Sequence, residues 1–128
     1  RFKRPVPPEP WCEVRDCRRF GEVAIQPSAA SFARAVGRSV LRIKALKPPH
    51  ETPLREDSSE DCLFLNITTT SLSSRLPVLC WIHGGAFRFG AGSDALYSGS
   101  QLTRSEEVLV VTINYRLGCF GFLNIEGG

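Results

Sequence analysis

The longest uninterrupted apolar segments of the chain lie in its second half. Residues 78–82 are five apolar residues between Pro77 and His83, and residues 108–113 are rich in β-branched side chains. Apolar runs of this length predict strands that are covered on both faces of a parallel sheet. Residues 100–107 are polar and predict a short helix between the two strands. Strand, helix and strand form a crossover unit, so the two strands should be parallel with a right-handed connection.

The first half of the chain is less regular. Residues 1–10 contain four prolines, which favours an extended segment, and residues 62–67 predict a further strand after two acidic residues. Residues 31–47 have apolar positions at helical spacing and arginines on another face, and Pro48 ends the pattern. A basic helix of this kind can bind an anionic membrane or nucleic acid. The simpler interpretation, a solvated arginine face above an ordinary apolar one, is preferred.

Composition narrows the function classes. The chain is 42% hydrophobic and 23% charged, which indicates a globular protein, and its net charge of +3 is too small to imply a nucleic-acid partner. No apolar run reaches the roughly 18 residues that a transmembrane helix needs. There is no methionine, and both ends are abrupt. We therefore expect a piece of a longer protein that is incomplete at both ends.

The five cysteines have no metal-binding spacing, so no metal site is predicted. Cys80 and Cys119 lie in apolar runs and should be buried free thiols. Cys12 and Cys17 can pair or stay reduced, and the sequence does not decide between the two states. Residues 90–95 have the glycine spacing of a dinucleotide fingerprint, but no clean strand precedes them and no aspartate follows. No cofactor is expected.

The chemically most informative residues follow the run at 78–82: His83, Gly84, Gly85 and Ala86. The carboxyl end of a strand is where open α/β sheets bind ligands. Small residues at that position let main-chain N–H groups approach a ligand oxygen without an intervening Cβ atom. The pattern is typical of an oxyanion hole of the HGGG type, with alanine at the third small position. A tight connection without any catalytic role is the alternative interpretation.

Three sequence blocks together resemble the type-B carboxylesterases of the α/β-hydrolase fold. The blocks are EDCLFLN at residues 60–66, WIHGGAF at 81–87 and NYRLG at 114–118. Residues 81–100 look most like those of bacterial para-nitrobenzyl esterases. The resemblance implies an α/β fold, with residues 1–128 forming the N-terminal strands of a central, mostly parallel sheet and the oxyanion-hole loop. They would be the N-terminal part of one domain.

The resemblance also implies roles for the residues of the glycine turn. The N–H groups of Gly85 and Ala86 would donate hydrogen bonds to the oxyanion, and Gly84 would support the turn. Phe87 would lie beside the acyl pocket and contact substrate. His83 would be a structural residue at the end of the strand rather than the catalytic base, since the base of this family lies much further along the chain.

Other residues acquire structural roles from the same resemblance. Glu60 would form an ion pair with Arg1, and Arg116 would pair with an acidic residue beyond position 128. Ala24 stands where many relatives have a cysteine that bridges to the position of Cys62. Cys62 should therefore be a free thiol.

The catalytic triad is missing from the sequence. No Gly-x-Ser-x-Gly motif occurs, and His50 and His83 are the only histidines. The nucleophile, acid and base of the family all follow the oxyanion loop in sequence. The complete protein would hydrolyse small-molecule carboxylic esters through an acyl-serine intermediate, whereas the 128 residues alone should be inactive. Two alternatives are a non-catalytic or truncated relative that serves as a binding or adhesion domain, and a small protein whose basic helix binds anionic surfaces.

Overall fold

A computed structural model describes residues 2–28 and 54–124 of the chain. The predicted helix at residues 31–47 lies outside these ranges, as do Arg1 and His50. The described strands and α-helices are β1 (Val23–Ala24), β2 (Ser58–Ser59), β3 (Leu65–Thr68), β4 (Val78–Ile82), α1 (Ser100–Ser105), β5 (Leu109–Ile113) and α2 (Gly118–Phe122). A short 3₁₀ helix spans Ala95–Tyr97.

The main sheet has three strands in the order β3-β5-β4. β4 and β5 are parallel, with Val78 opposite Leu109 and Ile82 opposite Ile113. This pairing, with α1 between the two strands in sequence, confirms the predicted parallel crossover. β3 runs antiparallel to β5. Since β5 is the central strand, its β-branched residues meet neighbours on both sides, and its side chains alternate between buried and half-buried.

A two-stranded sheet and a small apolar cluster connect the N-terminal segment to the loop that follows β5. β1 and β2 form a two-stranded parallel pair. Ala24, Cys62 and Leu117 form a buried apolar cluster, and Tyr115 packs against it. Cys62 is a free thiol, as expected, and burial raises its pKa. β3 begins only at Leu65, later than predicted, because Cys62 is drawn into this cluster ahead of the strand.

The prediction that β4 is covered on both faces is wrong for the described part of the chain. All five residues of β4 are exposed, and Val78 and Ile82 keep 63% and 62% of their accessible surface. β5 pairs with β4 along one edge, but no helix within residues 2–28 and 54–124 packs extensively on its faces. A strand sequence fixes which surfaces are apolar, whereas burial also requires the elements that cover them.

The predicted burial of two cysteines is wrong for the same reason. Cys80 lies in β4, and its thiol is exposed with the rest of that strand. Cys119 lies in α2, whose five residues include none that is buried. Cys12 and Cys17 are free and exposed, so the structure shows the reduced alternative for this pair. Within the described ranges, no helix is long and apolar enough to cross a bilayer.

Candidate active site

The glycine turn begins directly after β4. Gly85, Ala86 and Phe87 all have positive φ angles, of 119°, 53° and 60°. A Cβ atom on Gly85 would lie 1.8 Å from the carbonyl oxygen of Phe89, so glycine is required at this position. Two consecutive non-glycine residues in the left-handed region are unusual, and such strained backbone is concentrated at functional sites. The sequence indicated the turn but gave no sign of this conformation.

Several main-chain donors of the turn have no hydrogen-bond partner among the described residues. The carbonyl oxygen of Gly85 accepts hydrogen bonds from the N–H groups of Arg88 and Phe89, at 3.0 and 3.2 Å. By contrast, the N–H groups of Gly84, Gly85 and Ala86 donate to no residue in the described part of the chain. Successive unpaired N–H groups in a turn with left-handed residues form a concavity that binds anions. The turn therefore has the donors that an oxyanion hole needs.

His83 lies buried at the start of the turn, with only 3% of its surface accessible. Its imidazole stacks on the Tyr115 ring at a centroid distance of 4.5 Å, and the Tyr115 hydroxyl donates to the His83 carbonyl oxygen at 2.9 Å. Nδ1 lies 2.7 Å from the carbonyl oxygen of Gly84. Nε2 is buried and has no hydrogen-bond partner among the described residues.

An apolar groove of about 270 Å³ opens beside the free N–H groups. Phe87, which is 62% exposed, contacts the rings of Phe122 and Tyr115 at centroid distances of 4.9 and 6.5 Å. The groove is lined by Ile82, His83, Gly84, Ala86, Phe87, Tyr115 and Phe122. A few convergent polar groups at the edge of an apolar cleft are typical of a small-molecule site. Tyr115 and Phe122 were not predicted as site residues, because only folding brings α2 and the loop after β5 against the turn.

Gln26 secures the next loop against the turn. Its Oε1 accepts from the N–H of Gly90 at 2.8 Å, and its Nε2 donates to the carbonyl oxygens of Gly90 and Ala24 at 3.0 and 3.1 Å. The side chain is buried, with 4% of its surface accessible. Sequence reasoning missed this residue, because an isolated glutamine in a loop carries no recognisable signal.

The same loop is held at two further points. Asn114 accepts from the N–H of Gly92 at 2.8 Å, and the Thr112 hydroxyl donates to the Gly92 carbonyl oxygen at 2.7 Å. Asp94 accepts from Arg55 Nη1 at 3.0 Å and from the N–H of Ala91 at 3.0 Å. Side chains distant in sequence thus fix the loop that backs the turn.

Replacing Gln26 by leucine in the complete protein should lower its stability by about 2 kcal/mol, because the part-buried N–H and C=O groups of Gly90 lose their partner. Thermal unfolding of the wild-type protein and the variant measures the effect. The matched control is Gln101→Leu, since Gln101 is exposed on α1. Equal unfolding midpoints for the two variants would show that the Gln26 contacts are not stabilising.

Among the residues with predicted structural roles, the structure describes Glu60 and Arg116 but not Arg1. Glu60 and Arg116 line a cavity of about 20 Å³ together with Cys62. Arg116 Nη1 donates to the Lys3 carbonyl oxygen at 2.5 Å, which ties the N-terminal segment to the loop after β5. Arg1, the expected partner of Glu60, lies outside the described residues, so this ion pair stays a prediction. The acidic partner of Arg116 beyond residue 128 also stays a prediction.

Known proteins resemble the whole chain. The Bacillus subtilis para-nitrobenzyl esterase is 44% identical over 127 residues, which are 98% of this chain and 22% of that protein. The pyrethroid hydrolase Ces2e of Rattus norvegicus is 41% identical over 97% of this chain and 20% of its own length. The chain thus spans about a fifth of the length of these relatives.

Solved structures of esterases also resemble nearly the whole chain. A PNB esterase structure superposes with a TM-score of 0.71 at 44% identity, covering 98% of this chain and 21% of the other. The Geobacillus stearothermophilus carboxylesterase EST55 superposes with a TM-score of 0.70 at 38% identity, covering 95% and 20%. These esterases confirm that the described strands are part of an α/β-hydrolase fold. The family model described as "Carboxylesterase family" matches residues 1–128, so the chain belongs to the carboxylesterase family.

Proposed function

We propose that the chain is the N-terminal part of a single-domain serine esterase and supplies its oxyanion hole. The observation that carries the proposal is that the N–H groups of Gly84, Gly85 and Ala86 have no partner among residues 2–28 and 54–124 and lie beside the apolar groove at the carboxyl end of β4. The activities in the names of the relatives, an esterase and a pyrethroid hydrolase, support the same reaction class.

The proposed chemistry begins when a serine oxygen attacks the carbonyl carbon of the ester. A carbon–oxygen bond forms, the serine proton passes to the catalytic base, and the carbonyl π electrons move onto the carbonyl oxygen. The N–H groups of Gly85 and Ala86 donate hydrogen bonds to that oxyanion, and one such donor is worth roughly 3 kcal/mol of barrier. When the carbonyl re-forms, the alcohol leaves with a proton and an acyl-serine remains. Water then attacks the acyl-serine and releases the carboxylic acid.

The proposed site offers an apolar surface to the acyl part of the substrate. Phe87, Tyr115 and Phe122 form an aromatic wall next to the free donors, which suits an apolar acyl group of a small-molecule ester. Hydrolysis by this route uses only protein side chains, main-chain donors and water, so it needs no cofactor.

In the proposed enzyme, the nucleophile, acid and base are residues beyond position 128. The sequence has no Gly-x-Ser-x-Gly motif, and one of its two histidines is the buried His83. The 128-residue chain alone should therefore not turn over esters, even with a correctly formed turn.

The complete protein encoded with this segment provides the test. It should hydrolyse p-nitrophenyl butyrate with an initial burst of p-nitrophenol, and a fluorophosphonate should label one serine that lies outside residues 1–128. The 128-residue chain, as a control, should show neither activity nor labelling. A folded complete protein without hydrolysis or labelling would contradict the proposal and favour a non-catalytic binding domain.

A further inference from the structure

We propose that His83 is a positioning residue that orients the Gly85 N–H donor through a hydrogen bond to the Gly84 carbonyl oxygen. The inference rests on the proposed function, because it concerns the efficiency of the same oxyanion hole. His83 does not need to touch the substrate for this role. It acts on the peptide group that joins Gly84 to Gly85.

The hydrogen bond between His83 and Gly84 has only one possible direction. A carbonyl oxygen can only accept, so the 2.7 Å contact between His83 Nδ1 and Gly84 O requires the proton on Nδ1. The described chain has no cis peptide bond, and in a trans peptide the C=O and N–H bonds point in opposite directions. Because the Gly84 C=O points at the imidazole, the Gly85 N–H points away from it. The ring thereby fixes the direction of one donor.

The second donor, the Ala86 N–H, is oriented by other hydrogen bonds. The Gly85 carbonyl oxygen accepts from the N–H groups of Arg88 and Phe89, at 3.0 and 3.2 Å. By the same peptide geometry, these two bonds set the direction of the Ala86 N–H. Only main-chain atoms take part, so no side-chain substitution removes them directly. Of the two donors, the Gly85 N–H is the one whose orientation depends on a side chain.

The imidazole is itself held in place from two sides. Tyr115 stacks on it with an interplanar angle of 17°. Gly90 closes off the ring near Nδ1, because a Cβ atom there would lie 2.5 Å from Nδ1 and 2.8 Å from the Gly84 oxygen. Gln26 in turn fixes Gly90 through both of its main-chain groups. A preorganised donor of this kind needs no rearrangement when the oxyanion forms.

Two substitutions of His83 in the complete protein separate positioning from packing. His83→Leu removes the donor, whereas His83→Asn places an amide nitrogen near the position of Nδ1. The leucine variant should lower kcat about 10²-fold with KM changed less than about 3-fold, because loss of one donor acts on the transition state. Its affinity for a trifluoromethyl ketone should fall by a similar factor. The asparagine variant should recover most of both losses.

Equal losses of kcat in the leucine and asparagine variants would overturn the proposal, as would a rise in KM with unchanged kcat. Gly90→Ala provides an independent test, since its Cβ atom displaces the same hydrogen bond without altering His83. It should reduce kcat and ketone affinity in the same direction. Unchanged values in a folded Gly90→Ala protein would count against the role of the bond.

Crystal structures distinguish a failure of this inference from a failure of the proposed function. If the wild-type complete protein hydrolyses no ester, the proposed function fails. The wild-type and His83→Leu structures then still show whether the Gly84 carbonyl rotates when the imidazole is absent. A carbonyl that keeps its direction in the leucine variant would overturn the positioning role by itself.

Discussion

Replacing Gly85 by alanine should lower kcat/KM of the complete protein for p-nitrophenyl esters by about 10³-fold or more. The new Cβ atom would lie 1.8 Å from the Phe89 carbonyl oxygen, and the φ angle of 119° is strained for any residue with a side chain. The turn must therefore open, and both oxyanion donors lose their directions. Steady-state kinetics measures the loss, and thermal unfolding shows whether the variant is folded.

Gly118→Ala is the matched control for this experiment. Gly118 also has a positive φ angle, 55°, but no atom that the structure describes would lie within 4 Å of a Cβ atom there. The substitution should cost only about 1–2 kcal/mol of stability and retain most of the activity. Similar activity losses in the two variants would show that the crowding at Gly85 is not the decisive feature of the turn.

The 128-residue chain by itself should aggregate and show no cooperative thermal transition. We expect this because much of its apolar sheet surface is exposed to solvent. The exposed large apolar side chains of β4 are Val78, Leu79, Trp81 and Ile82. Exposed apolar patches and strands of this kind promote self-association. Size-exclusion chromatography and circular dichroism during heating measure the two properties.

A polar variant of the 128-residue chain tests whether the exposed apolar surface of β4 causes the expected aggregation. Val78→Thr combined with Ile82→Thr keeps β-branched residues at the two most exposed large apolar positions of β4 while reducing their apolar surface. This variant should stay soluble at higher concentration than the unchanged chain. A soluble monomer with a cooperative transition in the unchanged chain would contradict the interpretation of β4 as an uncovered strand.

The strands were the most predictable part of the fold. The apolar run at β4 and the β-branched run at β5 led to the correct prediction of a parallel pair, because local composition limits these segments to few conformations. The burial of β4 was not predictable from the same run. Apolar residues show which faces need a partner, whereas accessibility depends on neighbours that the described chain does not provide for this strand.

The small residues after β4 indicated free main-chain donors, and the N–H groups of Gly84, Gly85 and Ala86 have no partner among the described residues. That these groups form an oxyanion hole stays a prediction. The contacts that hold the turn were not predictable, because Gln26 and Gly90 are 64 positions apart in sequence. The positive φ angles of Ala86 and Phe87 could not be predicted from the sequence either, since neither residue type favours that conformation by itself.

The most direct test of the central claim is a crystal structure of the complete protein with a trifluoromethyl ketone bound to its nucleophilic serine. We expect the oxyanion of this adduct to lie about 2.7–3.1 Å from the main-chain nitrogens of both Gly85 and Ala86. An adduct whose oxygen is held by other donors, with these two N–H groups directed elsewhere, would contradict this claim.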